Sequence, residues 1–556
     1  MRLLIDGLRF PLQAEPGGDL LRERVASTIG MRPEDISSLR VVRRSIDARR
    51  CREPKVVLGL EAVVPDGAPW KQRKEGGVSV RSGDTPWQPP IAPRKSPGDR
   101  RPVVVGCGPA GLFAALVLAM GGSPPLLLER GRPLADRTAD VREFWECGRL
   151  NPESNVQFGE GGAGAFSDGK LTSRLRDPRG DWVKRVFVES GAPASILTDA
   201  KPHVGTDRLR AVVVSLRKRL IESGVEMRFG AAVTDLSVRK GAAAGVIVGG
   251  GEEIAAERIV FAAGQSAEDS YAMLERSGLS LSAKPFAIGL RVEHPQELID
   301  RIQYGRWRKD PQLPPAEYFL TARLDLLGRS VYTFCMCPGG QVIGSSSEAG
   351  RIVTNGMSNS SRNGPFANAA VVVNIRTEDF DTGHALDGLA FRRRWEEKAF
   401  AMGGGDYAAP AQRLTGFLRG EESPSIGRHS FLPGVRSARL DDALPSFAAE
   451  ALREGLKVFS RKMSGFLSEE ALLIGVETRT SSPVRILRGP DGAAVGVTGF
   501  YPCGEGSGYA GGIISSAVDG IRAAERILAE TEKSPGILSG SPSPAVGGYP
   551  AGGRIP

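Results

Sequence analysis

The stretch Val103–Gly122, VVVGCGPAGLFAALVLAMGG, decides how the rest of the chain is interpreted. It lies in a window from Pro102 to Leu128 without a charged residue, which by hydropathy alone is typical of a membrane span. However, Gly106, Gly108 and Gly111 form the pattern GxGxxG directly after a predicted strand and at the start of a predicted helix. This arrangement favours a loop that binds a phosphate over a segment that crosses a bilayer.

A second predicted strand, PPLLLER, follows the helix and carries Glu129 near its end. In loops of this kind the first glycine permits the tight turn, the second lets a pyrophosphate approach the backbone, and the third lets helix and strand pack closely. An acid after the second strand accepts hydrogen bonds from ribose hydroxyls and disfavours a 2′-phosphate. The combination predicts a dinucleotide-binding unit with a buried parallel sheet and no membrane span.

The bulk composition agrees with a water-soluble multidomain protein. The chain has 556 residues, 41% of them apolar and 25% charged. Its start, MRLLIDGLRFPLQAEPGG, lacks a long apolar segment and does not resemble a secretory signal, so we expect a cytoplasmic protein. Six scattered cysteines and four histidines predict reduced thiols, no disulfide framework and no metal site.

Several segments resemble FAD-binding flavoproteins rather than NAD-binding ones. ERG after the second strand and GEGGAGAFSDGKL at 159–171 resemble the loop beside the pyrophosphate and flavin, with Lys170 expected near the phosphates or the flavin unless it is an ordinary surface lysine. FGAAVTDL, with Val233, resembles the strand that contacts the adenine, and RIVFAAGQS resembles the strand that closes the fold. FAD is therefore the expected cofactor.

The distal segment CGEGSGYAGG resembles the second FAD motif, in which an acid holds the ribityl chain. Glu505 takes the place of the usual Asp, and Gly511 and Gly512 let the next helix begin beside the flavin. No second GxGxxG with a downstream acid occurs, so NAD(P)H is expected only as a transient electron donor. The predicted FAD-binding residues are Gly106, Gly108, Pro109, Ala110, Gly111, Glu129, Arg130, Gly162, Gly164, Lys170, Val233, Gly264, Gly504, Glu505, Gly511, Gly512 and Ile513.

Most of the chain resembles the uncharacterised FAD-dependent dehydrogenases of bacteria and plastids. The segments that carry the resemblance, between residues 40 and 525, are SIDAR, VVVGCGPAGLFAA, NVQFGEGGAGAFSDGKL, KPHVGTDRL, KPFAIGLRVEHPQELID, YTFCMCPGGQVI, TNGMS and YPCGEGSGYAGGI. The resemblance implies an FAD-dependent oxidoreductase, a dehydrogenase or reductase that passes hydride between flavin and a small organic molecule. It names no substrate and leaves the oligomeric state open.

The predicted fold is α/β, a Rossmann-like FAD-binding fold with a parallel central sheet, an inserted α+β substrate domain and a small N-terminal α+β module. The expected boundaries are 1–64 for the module, 65–101 for a basic Pro/Gly linker, 102–275 for the first part of the FAD-binding domain, 276–479 for the inserted substrate domain, 480–531 for the second part of the FAD-binding domain and 532–556 for a disordered tail.

Four residues are candidates for catalysis. Cys335 and Cys337 are two residues apart on a predicted strand, so their side chains are expected on the same face. One interpretation is that their thiols relay electrons or add to a substrate. The alternative is that both are small apolar residues of the core. His203 and His294 titrate near neutrality and are candidate acid–base groups, or else hydrogen-bonded structural residues.

The basic N-terminal region raises an alternative. The stretches 41–55 and 71–77 hold much of the excess positive charge, which supports a flavin-dependent RNA-modifying or RNA-binding protein. No RNP-type or zinc-knuckle pattern occurs, so a solvated basic face is favoured and nucleic acid is not an expected partner.

Overall fold

The protein is described by a computed structural model, which covers residues 1–12, 17–49, 52–71, 77–81, 86–92 and 101–533. The N-terminal part contains one helix and four strands, which are β1 (Arg2–Pro11), α1 (Gly18–Ile29), β2 (Ser38–Asp47), β3 (Lys55–Val63) and β4 (Gly77–Val80). The strands form an antiparallel sheet in the order β2-β3-β1-β4. Alternate residues of β1 and β3 pack on the apolar face of α1, which buries Val25 and Ile29.

Strand β4 is a difference from the sequence expectation, because it lies within the stretch 65–101 that was predicted as a linker. Four residues are too few to show an apolar period, and the strand is held by its pairing with β1, Leu3 opposite Val80 and Ile5 opposite Val78. Within 65–101, residues 72–76, 82–85 and 93–100 lie outside the described residues, and these include most of the basic stretch 71–77.

The free edge of β2 docks on the rest of the molecule. The Arg44 amide donates to the carbonyl of Thr198 at 2.8 Å, and the Ala200 amide donates to the carbonyl of Arg44 at 2.8 Å. Within the basic stretch 41–55, Arg49 forms an ion pair with Asp47 at 2.6 Å. The N-terminal sheet is therefore attached to the main body through backbone hydrogen bonds of its basic strand, and an RNA-binding role for this region stays a prediction.

The chain from residue 101 to 283 alternates strands and helices. These elements are β5 (Val103–Val105), α2 (Pro109–Met120), β6 (Leu126–Glu129), α3 (Leu134–Cys147), α4 (Pro178–Glu189), α5 (Thr206–Glu222), β7 (Glu226–Phe229), β8 (Val233–Arg239), β9 (Ala242–Val248), β10 (Glu252–Ala255), β11 (Ile259–Phe261), α6 (Glu268–Arg276) and β12 (Leu281–Ala283). Strands β8, β9 and β10 form a small antiparallel sheet of their own.

The next part of the chain is dominated by antiparallel strands. Its elements are β13 (Phe286–Pro295), α7 (Gln296–Tyr304), β14 (Thr321–Leu324), β15 (Arg329–Gly344), β16 (Thr354–Ser358), β17 (Phe366–Ile375), α8 (Asp387–Met402), β18 (Ala409–Arg413), α9 (Leu414–Arg419), β19 (Val435–Ser437), α10 (Ser446–Lys462), β20 (Leu472–Glu477) and β21 (Val484–Ile486). Eight strands join one sheet in the order β14-β15-β17-β13-β20-β18-β19, with β16 paired to β15. Strands β13 and β17 are buried along almost their whole length and form the centre of the largest apolar core.

The chain then returns to the first sheet through β22 (Phe500–Pro502) and α11 (Ile513–Lys533). Strand β22 pairs in parallel with β11, which gives a five-stranded parallel sheet in the order β22-β11-β5-β6-β7. Helix α11 packs on α2 so closely that a Cβ on Gly520 would stand 2.0 Å from the Ala110 carbonyl oxygen. Residues 534–556, which include nearly all of the predicted disordered tail, lie outside the described residues.

The uncharged window around the opening stretch is buried inside this sheet and its helices. Strands β5 and β6 are buried at every position, and α2 has only twelve residues, beginning at Pro109 and followed by Gly121. Among the described residues no helix combines the length and the apolarity that a bilayer crossing requires. The hydropathy of the window therefore reflects burial between protein layers.

Candidate active site

A cavity of about 390 Å³ opens at the carboxyl ends of β5, β6 and β11, where ligands of parallel α/β sheets are usually bound. Every predicted FAD-binding residue except Gly111 lines it, including the pair from the distal motif, Gly511 and Gly512. The GxGxxG loop and this distal loop are about four hundred residues apart in sequence and face one cavity. The fold therefore brings the two glycine motifs together.

The three glycines of the loop differ in what surrounds them. A Cβ on Gly106, whose φ is +100°, would stand 2.4 Å from the Ala262 carbonyl oxygen, and one on Gly111 would stand 1.9 Å from the Gly106 carbonyl oxygen. A Cβ on Gly108 would have only the Gly162 Cα near it, at 3.9 Å. Gly106 and Gly111 are thus required by packing, whereas Gly108 leaves open space over the backbone.

The carboxylate of Glu129 is buried beside this loop. Its Oε2 accepts a hydrogen bond from the Cys107 amide at 2.7 Å, and its Oε1 accepts from the amides of Gly131 and Gly159 at 2.9 Å each. A carboxylate has about four acceptor positions, so roughly one is left for a ligand hydroxyl. The side chain is therefore fixed in orientation and keeps some capacity to accept from a ligand.

The neighbouring Arg130 is held by two acids and a ring. It donates to Glu153 at 2.9 Å and to Asp269 at 3.1 Å, and its guanidinium lies 4.3 Å from the centroid of the Phe158 ring. These contacts fix one wall of the cavity at the end where Val233 also lies.

The distal motif forms another part of the cavity wall. The side chain of Gln265 donates from Nε2 to Glu505 Oε1 at 2.7 Å, and burial raises the pKa of Glu505 to about 7 although Lys284 acts in the opposite direction. No atom lies within 4 Å of a Cβ placed on Gly511 or Gly512. Helix α11 begins immediately afterwards, so its N-terminus is accessible from the cavity.

A charged cluster stands where β15 meets the cavity. Lys170 Nζ lies 2.9 Å from Asp168 Oδ2 and also donates to the carbonyl of Met336. Arg362 donates to Asp168 through Nε at 3.0 Å. Lys170, whose side chain is 31% exposed, therefore belongs to an ion-pair cluster around the buried Asp168, and Cys335 also lines the cavity.

Sequence reasoning missed a buried arginine that contacts Cys335 next to this cluster. Arg291 on β13 is fully buried and donates to the carbonyl of Cys335 at 2.6 Å, to Asn368 Oδ1 at 2.9 Å and to Glu477 Oε1 at 3.3 Å. Its Nη2 also lies 3.6 Å from Cys337 Sγ. The sequence did contain a signal for Arg291, because this arginine interrupts the apolar predicted strand FAIGLRVEHP. A charged residue buried in such a strand needs a partner from elsewhere in the fold.

The two histidines lie outside the set of residues that line the cavity. His294 is fully buried, its Nε2 is 2.8 Å from the Phe466 carbonyl oxygen, and burial lowers its pKa to about 4. His203 forms a backbone bridge with Lys170, and burial and then Arg362 lower its pKa. The structure therefore places His203 behind the charged cluster and His294 in the core of the large sheet.

The buried carboxyl of Glu477 predicts a pH dependence of stability. Burial raises its pKa to about 7 despite the nearby Arg291, whereas an unfolded Glu titrates near 4.3. Between these two pKa values the Glu477 carboxyl is protonated in the folded protein and ionised in the unfolded chain. Its contribution to the unfolding free energy is therefore complete below about pH 4 and is lost as the pH rises through about 7. Between about pH 5 and pH 8 we expect the wild type to lose roughly 2–3 kcal/mol of unfolding free energy relative to Glu477→Gln, as measured by urea denaturation. An equal pH dependence in both proteins would contradict this assignment.

Sequence and structure comparisons identify relatives of the chain. A family model described as the C-terminal domain of FAD-dependent proteins matches residues 285–480, and a domain of unknown function matches residues 5–63. An uncharacterized protein of Clostridium beijerinckii is 44% identical over 517 residues, which cover 92% of this chain and 96% of that protein.

The similar solved structures are distant from this chain in sequence. The FAD complex of CtdE is 11% identical with a TM-score of 0.29, covering 77% of this chain and 83% of that chain. The E. coli quinol fumarate reductase is 11% identical with a TM-score of 0.35, covering 79% of this chain and 72% of that chain. The flavin-dependent brominase Bmp2 is 13% identical with a TM-score of 0.35, covering 79% of this chain and 81% of that chain.

Proposed function

The chain belongs to the family of FAD-dependent proteins that includes the Clostridium beijerinckii protein, and from this premise we propose that it is an oxidoreductase passing hydride between FAD and an unidentified small organic molecule. The observation that supports this most directly is the single cavity shared by the GxGxxG loop and the distal glycine loop. A dinucleotide that reaches from one loop to the other would lie against backbone at both ends, which is where the glycines leave space.

The residues of this chain divide the work of holding the cofactor. The open face of Gly108 would receive the pyrophosphate, and Glu129 would accept from a ribose hydroxyl. Gly511, Gly512 and the N-terminus of α11 would lie against the flavin and stabilise negative charge on it. When bound, FAD supplies the two-electron chemistry, and the protein supplies orientation, electrostatics and exclusion of water.

We also propose how the chain is divided. Residues 102–275 and 480–531 would form one Rossmann-like FAD-binding domain, since β22 pairs in parallel with β11 of the earlier segment. Residues 276–479 would be the inserted substrate domain, which agrees with the span of the FAD-dependent C-terminal family model at 285–480. In this arrangement Cys335 and Glu477 of the inserted domain line the same cavity as the GxGxxG loop.

An anaerobic spectral titration tests the proposed reaction. We expect the holoprotein to show visible flavin absorption that dithionite bleaches and air restores, because the flavin would be accessible to small donors and acceptors. NADH and NADPH are then added separately. Bleaching by one of them would support a reductase with a transient nicotinamide site, and bleaching by neither would support an organic donor, as in a dehydrogenase.

One result would contradict the proposal of redox function. A protein that contains one FAD per chain, yet whose absorption resists every reductant, would hold the flavin as a structural element. Residual oxygen would also prevent bleaching, because it reoxidises reduced flavin. The control is therefore a second titration in which an added enzyme that oxidises glucose removes the remaining oxygen.

A further inference from the structure

Strand β15 departs from regular geometry where its two cysteines meet the cavity. In the pairing with β17, Phe334 lies opposite Ala370 and Cys337 lies opposite Asn368, so two residues of β15 occupy the space of one. The extra residue is Cys335, whose φ of +44° is uncommon for a side chain other than glycine. Such bulges re-aim side chains and occur next to active sites.

The bulge places the thiols together and between two cations. Cys337 Sγ lies 3.4 Å from the Cys335 carbonyl oxygen, to which it donates, and 3.6 Å from Arg291 Nη2. Lys170 binds the carbonyl of the intervening Met336. The pair is therefore surrounded by positive charge from two sides, which is the environment that stabilises a thiolate.

The two thiols differ in access and in protonation. Cys335 lines the cavity, whereas Cys337 is fully buried. The hydrogen bond from Cys337, together with Lys170 and Arg291, lowers the pKa of Cys335. The interaction with Cys335 and burial raise the pKa of Cys337, so Cys335 is the more acidic member of the pair.

Two other buried cysteines, which are not flanked by Lys170 and Arg291, have raised pKa values. Burial raises the pKa of Cys107 far above its ordinary value, with nearby Glu129 adding to the effect. Burial also raises the pKa of Cys503, where Asp519 acts in the same direction. Location in an apolar interior thus does not by itself activate a thiol in this protein, and the cluster around Cys335 is distinct.

We propose that Cys335 and Cys337 form a redox-active dithiol that exchanges an electron pair with the FAD held in the same cavity. The inference rests on the proposed function, since FAD is the acceptor. In the oxidation, the S–H bond of Cys337 breaks, the Cys335 thiolate forms a bond to Cys337 Sγ, and two electrons and one proton leave the pair and reduce one FAD. The reverse reaction opens the disulfide and returns Cys335 as the thiolate facing the cavity.

Counting electrons in the holoprotein tests this inference without any assay of activity. After oxidation with ferricyanide and removal of the excess, anaerobic dithionite titration should consume four electrons per bound FAD in the wild type, two for the flavin and two for the disulfide. Cys335→Ser and Cys337→Ser should each consume two. Cys147→Ser, which changes an exposed cysteine at the end of α3, is the matched control and should consume four.

A thiol count on the same samples gives an independent readout. After ferricyanide treatment and denaturation, the wild type and Cys147→Ser should each show two fewer thiols than their reduced forms, and Cys335→Ser should show no such loss. If the cysteine variants fail to fold, the wild-type electron and thiol counts decide the matter alone.

The outcomes separate this inference from the proposed function. One FAD per chain with a two-electron capacity and no loss of thiols in the wild type would overturn the dithiol and leave the flavoprotein intact. A wild type that binds no FAD would overturn the proposed function itself, and the FAD content is measured before the titration begins.

Discussion

The Gly108→Val variant is expected to fold like the wild type and to bind FAD at least about 100-fold more weakly. The backbone at Gly108 has φ −80° and ψ −177°, which valine adopts without strain, and the nearest atom to an added Cβ is the Gly162 Cα at 3.9 Å. In the holoprotein the isopropyl group would occupy the space proposed for the pyrophosphate. Overpacking of this kind costs about 1–3 kcal/mol or more, and 1.4 kcal/mol corresponds to a tenfold change in affinity.

Equilibrium binding of FAD to the deflavinated proteins, followed by fluorescence, measures the effect, and thermal unfolding of the apo forms checks the fold. Gly111→Val is the matched comparison, because its Cβ would stand 1.9 Å from the Gly106 carbonyl oxygen and should disrupt the loop and lower stability together. If Gly108→Val bound FAD with the wild-type affinity, the pyrophosphate would not lie against this loop.

Loss of the Glu396 carboxylate is expected to destabilise the protein strongly, because Glu396 belongs to a buried ion-pair network with Arg392 and Arg479. Glu396 is fully buried and accepts hydrogen bonds from Thr478 Oγ1 at 2.6 Å and from Arg479 Nη2 at 2.9 Å, with Arg392 Nε at 3.6 Å. Glu396→Gln would leave two buried guanidinium groups short of negative charge. We expect it to lower the free energy of unfolding by about 3 kcal/mol, because the buried network loses one carboxylate, although Arg392 keeps Glu268 and Arg479 keeps Glu348 as partners.

The adjacent residue provides the control for this measurement. Glu397 has a 53% exposed side chain and lies 3.6 Å from Arg351, so Glu397→Gln should change the unfolding free energy by less than about 1 kcal/mol. Urea denaturation of the three proteins at the same pH gives the comparison. Similar small changes in both variants would mean that the network around Glu396 contributes little to stability.

The glycine loops could be predicted from sequence because their signal is local. Gly111 is fixed by its contact with the Gly106 carbonyl within the same loop, and although the neighbour of Gly106 is the distant Ala262, the GxGxxG spacing after a strand identifies both positions. The same holds for Glu129, which follows the next strand at the expected distance. Elements whose form is decided within about thirty residues can therefore be identified in this chain without the structure.

The groups that complete the cavity could not be predicted, since they arrive from distant strands. Arg291 on β13 and Glu477 on β20 meet Cys335 only after the eight-stranded sheet has formed. Gln265 stands directly after the predicted closing strand, yet its partner Glu505 is 240 residues away. A sequence pattern shows that a buried charge needs a partner and does not show which one.

The geometry of the cysteine pair differs from the sequence prediction. Alternation along a strand predicts that Cys335 and Cys337 share a face, which treats β15 as regular. The structure instead inserts Cys335 at a bulge with positive φ, a conformation imposed by pairing with β17 and by Arg291 rather than by the residue itself. Alternation along a strand therefore does not predict the bulge, which accompanies the different access of the two thiols to the cavity.

Direct quantification of bound flavin tests whether the shared cavity holds FAD. The purified protein, after incubation with excess FAD and removal of the unbound cofactor, is denatured by heat, and the released flavin is identified by chromatography and counted against the chain. We expect one FAD per chain for the wild type and almost none for Gly108→Val. A wild-type protein that releases no flavin, although folded and incubated with FAD, would contradict the account.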